Sequence, residues 1–239
     1  MRKIANEEDL YRITIYAPTK YHRAIVHLLA SSAMPNNFIE ELTIEQLLSA
    51  CDTYFKFGEN KTIDNLIKKD PVKDNYIPCF DFKDDNKPRI ACCSPKALKV
   101  IFQYINYRKN IKMDEPYIFL NSENEPIIDK DAITTIIRKA RKNVNKFAID
   151  GTSNITANQI RARFWHIAEN NMHGIYKDEV LMLMKGNSSR KNKNFYDYIC
   201  NDKQVLINHY KTIVDFLAIR SEDDKPKTQT RSYTSDFTY

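Results

Sequence analysis

Residues 156–166 read TANQIRARFWH, and residues 183–198 read LMKGNSSRKNKNFYDY. In the first stretch Thr156 and Gln159 stand in the form of a capping box, which opens a helix running to about Asn170. That register sets Arg161 and Arg163 near the helix start, two positions apart and therefore on different faces. Between the two stretches, Tyr176–Met184 has the Leu- and Met-rich spacing of an amphipathic helix. Lys185-Gly186-Asn187 ends it, glycine being the usual helix stop. The segment from Lys185 to Lys193 holds Lys185, Arg190, Lys191 and Lys193 and no acid. Phe195-Tyr196-Asp197-Tyr198 follows directly.

Working outward, Lys20 to Ser32 carries Tyr21, Ala24, Ile25, Leu28 and Leu29 at the spacing of one buried helical face. Pro35 and Asn36-Asn37 break that pattern, and Thr43 with Gln46 forms a second capping box opening a helix through Ala50. Residues 58–74 are polar and read as a loop. Tyr76–Phe82 and Lys87–Cys93 flank the turn-rich tetrapeptide Lys83-Asp84-Asp85-Asn86, which predicts a β-hairpin. Ser94-Pro95 is an N-cap with proline at the first helical position. The helix behind it sets Leu98, Ile101, Phe102 and Ile105 on one side. Tyr117–Leu120 reads as an edge strand or a core plug. Residues 130–146 predict a basic helix with Arg138, Lys139, Arg141, Lys142 and Lys146. The last helix, 202–218, has Val205, Leu206, Ile213, Phe216 and Leu217 on its apolar side. Trp165 is expected to fill the core. The fold class is α+β, mainly helical with a small antiparallel hairpin. The expected organisation is a lead-in over 1–19, one domain over 20–219, and a polar tail over 220–239.

Composition narrows the function. In 239 residues, Lys+Arg total 37 against Asp+Glu 31, a formal charge of +6 that suits a polyanionic partner. Four glycines, roughly a quarter of the usual ~7% share, leave no room for a GxGxxG or Walker-type phosphate loop. No apolar run approaches the ~20 residues of a membrane span. The acidic start MRKIANEEDL does not form a signal peptide, so a cytoplasmic location is expected. Five cysteines without CxxC spacing argue against a disulfide framework or structural zinc, and Cys79, Cys92 and Cys93 read as small buried hydrophobes. The five histidines show no HExxH or facial-triad pattern, so neither a metal nor a cofactor is expected.

Four segments occur in order: LLASSAMPNNFIEELT (28–43), the hairpin with Lys83, TANQIRARFWH, and LMKGNSSRKNKNFYDY. This order resembles the catalytic domain of tyrosine recombinases, the phage- and plasmid-integrase family. There the first segment reads like TGLRxxELxxLT, the third like HxLRHTFAT and the fourth like LGHxSxxTTxxY. Asn187 to Tyr196 reproduces the spacing between the last motif's histidine and its nucleophile. The closing VLINHYKTIVDFLAI (205–219) resembles archaeal members, which implies a mobile-element integrase. The resemblance covers residues 20–219.

The resemblance implies a DNA-binding site-specific recombinase. A tyrosine hydroxyl attacks a phosphodiester in line and forms a 3′-phosphotyrosyl bond, without ATP or metal. Two arginines and a histidine hold the phosphate oxygens as charge builds, and a hairpin lysine protonates the departing 5′ oxygen. Carried over by position, Tyr196 falls at the nucleophile, Arg161 at the second arginine and Lys83 at the hairpin lysine. The first arginine falls at Pro35, or at Asn36 in the archaeal spacing. The two histidine positions hold Asn158 and Asn187, which can donate a neutral hydrogen bond but carry no charge. One lost donor is worth about 3 kcal/mol, and a transition-state arginine ~10³–10⁵ in rate. Arg190 and Arg163 are candidate replacements. The DNA-backbone surface is expected at Arg138, Lys139, Arg141, Lys142, Arg163, Lys185, Arg190, Lys191 and Lys193. The implied partners are double-stranded DNA and further copies of the chain assembled on it. Two other readings stay open: a catalytically inactive recombinase-fold DNA-binding or assembly protein, and a helical protein–protein module.

Overall fold

The computed structural model describes residues 4–84, 87–109, 115–121, 123–127, 131–147, 154–186 and 193–220. Within these, helix α1 (Glu7–Ile15) follows the cap Asn6, whose side-chain oxygen accepts from Asp9 N at 2.7 Å. Glu7, Glu8 and Asp9 fill its first turn, where acids complement the positive end of the helix dipole. Leu10 and Ile13 are fully buried. Part of the expected lead-in is therefore a core helix; its small number of apolar positions hid it from periodicity.

Helix α2 (Lys20–Ser32) matches its predicted span and packs on α1. Its C-cap, Ala33, takes the left-handed conformation at φ 52°. Pro35 then starts the short α3 (Asn36–Glu40), and Thr43 and Gln46 make both bonds of the capping box that opens α4 (Ile44–Ala50). A 3₁₀ turn (Asp52–Tyr54) follows α4, and the single turn α5 (Ile63–Leu66) interrupts the predicted loop.

Strands β1 (Cys79–Asp84) and β2 (Lys87–Cys92) pair antiparallel, with Cys79 opposite Cys92 and Phe82 opposite Arg89. Successive side chains alternate faces. Phe80, Phe82 and Ala91 join one apolar cluster, while Cys79, Ile90 and Cys92 join another. The hairpin thus partitions two cores. Cys51, Cys79, Cys92 and Cys93 are buried free thiols, and burial pushes those of Cys51, Cys92 and Cys93 up.

Ser94 Oγ accepts from Ala97 N at 3.2 Å and opens α6 (Pro95–Lys109), which packs on α2. Buried Arg108 donates to the carbonyls of Ile118 at 2.9 Å and of Tyr117. These bonds fasten the segment 115–120, with Ile118, Phe119 and Leu120 buried as a plug. Helix α7 (Ala132–Phe147) buries Ile133, Ile136, Ile137, Ala140 and Val144, and the carboxylate of Glu40 accepts from Ile133 N at 3.2 Å at its start.

Helix α8 (Ala157–Asn171) opens with the Thr156–Gln159 capping box and crosses both cores. Ala157 and Ile160 lie in the first, Phe164, Ile167 and Ala168 in the second. Helix α9 (Lys177–Lys185) stops at Gly186, φ 70°. Helix α10 (Lys193–Asn201), not expected from the sequence, carries Tyr196. The expected last helix is two: α11 (Gln204–Lys211) and α12 (Val214–Leu217). Thr212 Oγ1 donates to His209 O at 2.7 Å at the break. The change of register leaves Phe216 exposed at 52%, correcting its assignment to the apolar side. Tyr210 OH donates to Ser31 O at 2.5 Å and ties α11 to α2.

Candidate nucleic-acid interface

Arg161 sits one turn into α8, at the point where that helix passes the end of α2. Its Nε donates to Met34 O at 3.0 Å, Nη1 to Asn158 Oδ1 at 3.3 Å, and Nη2 to Asn36 Oδ1. These contacts fix the guanidinium plane and use three of its five N–H groups. Burial pulls its pKa below the ordinary arginine value, with the Glu40 carboxylate pulling the other way. The group stays cationic at any physiological pH. A cation stripped of part of its water gains more from an arriving anion than an exposed one does.

Arg161 lines an open hollow of about 410 Å³. Ala33, Pro35 and Asn36 form one wall, at the junction of α2 and α3. Arg89 enters from β2, Trp165 from α8 and Lys185 from the end of α9. Three cations thus face a cavity whose described lining contains no carboxylate. Lys185 Nζ pairs with Glu169 at 2.6 Å and lies 5.4 Å from the centre of the Trp165 ring. Trp165 itself stands edge-on to Phe164, centroids 4.9 Å apart; it packs against the second apolar cluster, as expected, and also lines the hollow. Gly186 abuts Arg89: a Cβ there would lie 2.1 Å from Arg89 Nε.

The structure distributes the sequence-derived candidates unevenly. Arg161 contacts both Asn158 and Asn36, and Pro35 lines the same hollow. Lys185 joins them. Lys83 is exposed near the hairpin tip, opposite Pro88, and does not line the hollow. Arg89, three residues past the turn, does. Its place opposite Phe82 on an alternating strand is the one signal the sequence offered, and no motif marks it. Tyr196 and Lys193 are placed by backbone as residues of α10, with their side chains outside the described atoms. Asn187, Arg190 and Lys191 lie outside the described residues.

On α7, Arg138, Lys139 and Lys142 are exposed, Arg141 is half-buried, and all flank the buried isoleucine stripe. Arg163 is turned inward and corrects its reading as a DNA contact. It is 9% exposed and donates from Nη2 to Phe216 O at 2.8 Å, holding α12 to α8. Two positions from Arg161, it points into the protein while its neighbour points to the hollow. Among the described residues, no group of three metal-ligating side chains occurs, and no helix is long and apolar enough to cross a membrane.

The described residues form a mainly helical body with one two-stranded antiparallel hairpin. The crystal structure of XerA recombinase is similar to this chain at a TM-score of 0.53 and 17% sequence identity, over 82% of this chain and 59% of that one. At that identity the likeness is one of fold. No protein-family model matches the chain, and no curated protein matches it in sequence.

Proposed function

We propose that this chain binds duplex DNA and is a strand-transferring recombinase of the tyrosine type. The observation that carries the reading is the convergence of Arg161, Arg89 and Lys185 on one hollow whose described lining holds no carboxylate. Such a cavity suits a phosphodiester, whose single negative charge is spread over two non-bridging oxygens. In the reaction, Tyr196 Oη attacks the phosphorus and a 3′-phosphotyrosyl bond forms. The bond to the 5′ oxygen breaks, and that oxygen leaves as a hydroxyl after taking up a proton. A 5′ hydroxyl from another strand then reverses the step. Preorganised guanidinium donors hold the phosphate oxygens as charge builds. The exposed cations of α7 supply sequence-independent contacts along the backbone, and further copies of the chain assemble on the same DNA. The resemblance of residues 205–219 to archaeal members supports an integrase of a mobile element.

A second reading has its own support. Three N–H groups of Arg161 are already taken by Met34 O, Asn158 and Asn36, and both asparagines stand where the family pattern has ionisable groups. A protein with the guanidinium so engaged could hold a phosphate without cleaving its ester, as a DNA-binding or assembly protein. Nicked suicide duplexes separate the two. The recombinase reading expects a covalent protein–DNA adduct that Tyr196→Phe abolishes. Salt-dependent binding with no adduct, unchanged by that substitution, leaves the binder.

A further inference from the structure

The recombinase pattern puts its first arginine at Pro35 or Asn36, and both residues line the hollow. The position is therefore present in space and its charge is absent from that wall. Across the cavity, Arg89 supplies the other guanidinium. We propose that Arg89 is the second phosphate-binding guanidinium of this site, delivering from the hairpin the charge that the α2–α3 wall lacks. The assignment rests on the DNA-binding reading.

Two observations favour Arg89. Lys83, on the same hairpin, is exposed and does not line the hollow. The backbone is also shaped around Arg89. Gly186 ends α9 in the left-handed region, and the space its missing Cβ leaves is occupied by the Arg89 side chain. The guanidinium is a planar fork that can give two parallel N–H bonds to the non-bridging oxygens of one phosphate, which an ammonium cannot. Arg161 and Arg89, entering from different elements, would grip the phosphate from two sides.

Fluorescence anisotropy of a fluorescein-labelled mixed-sequence duplex, followed across a series of NaCl concentrations, tests this. Arg89→Gln keeps most of the side-chain volume and removes the charge. It is expected to weaken binding about tenfold and to reduce the slope of log affinity against log salt by about one. Arg89→Lys retains the slope. Moving the charge back across the cavity, in Arg89→Gln with Asn36→Arg, regains it. An Arg89→Gln protein with wild-type affinity and slope overturns the assignment, and leaves the DNA reading intact if Arg161→Gln still weakens binding. A loss that neither Arg89→Lys nor the relocated arginine recovers marks a packing role and also overturns it. If the wild-type chain fails to bind the duplex at the lowest salt, the DNA reading falls and the assignment falls with it.

Discussion

Gly186 answers to two demands at once. Its φ of 70° lies where a Cβ is strained, and the direction a Cβ would take is filled by Arg89. Alanine there meets both penalties, so Gly186→Ala is expected to cost about 1–2 kcal/mol. In a domain this size that lowers the melting temperature by roughly 2–8 °C. The displaced Arg89 should also weaken duplex binding, an effect that loss of a helix stop alone would not produce. Calorimetry together with anisotropy checks both. The sequence marked Gly186 as a helix stop, and the stop is there. It could not show the second demand, because Arg89 is remote in the chain and only the fold brings the two together. Arg161 was legible for a different reason: the resemblance of TANQIRARFWH to the recombinase motif singled it out, and the capping box fixed its register on α8.

Helices with sharp local signals were the most legible elements. The caps at Thr43, Ser94 and Thr156 set helix starts that the structure reproduces, since a side chain bonded to a backbone N–H three residues on is a local event. Helix α1 and the break between α11 and α12 were not legible, because short elements owe their stability to partners distant in sequence. Arg163 shows the same limit: its inward turn depends on Phe216 O, a carbonyl in the last turn of the short α12. Helix α7 makes the converse point, its cations lying on the face its isoleucines do not use. Reversing charge there, with Arg138→Glu and Lys142→Glu, should weaken duplex binding and flatten its salt dependence while moving stability by less than about 0.5 kcal/mol. Arg163→Leu is expected to do the opposite, lowering the melting temperature with the salt slope unchanged. Chemical denaturation and anisotropy on the same preparations distinguish the two.

At the scale of the whole molecule, two histidines on α2 link stability to pH. Burial, and then the Lys139 charge, lowers His22 to about 3. Burial, with Arg23 and Lys96, lowers His27 to about 3 as well. Both are neutral in the folded chain at pH 7, whereas unfolding returns them to the ordinary value near 6.5. Below that value the unfolded chain binds more protons, so stability falls as pH drops from about 6.5 toward 3. Each histidine should remove about 1–2 kcal/mol between pH 6.5 and 5. Urea unfolding at the two pH values reads this directly, and His22→Gln should make the decline shallower. Equal stability at both would refute the assignment of these histidines as neutral in the folded chain.

The hollow lies where the two apolar clusters meet, its walls drawn from α2, α3, the hairpin, α8 and α9. A polyanion settling there would act as an external crosslink across an internal boundary. Its binding free energy would be added to the cohesion of the two halves together. Amide exchange should then slow in concert in helices as far apart in sequence as α2 and α9, although neither need change shape.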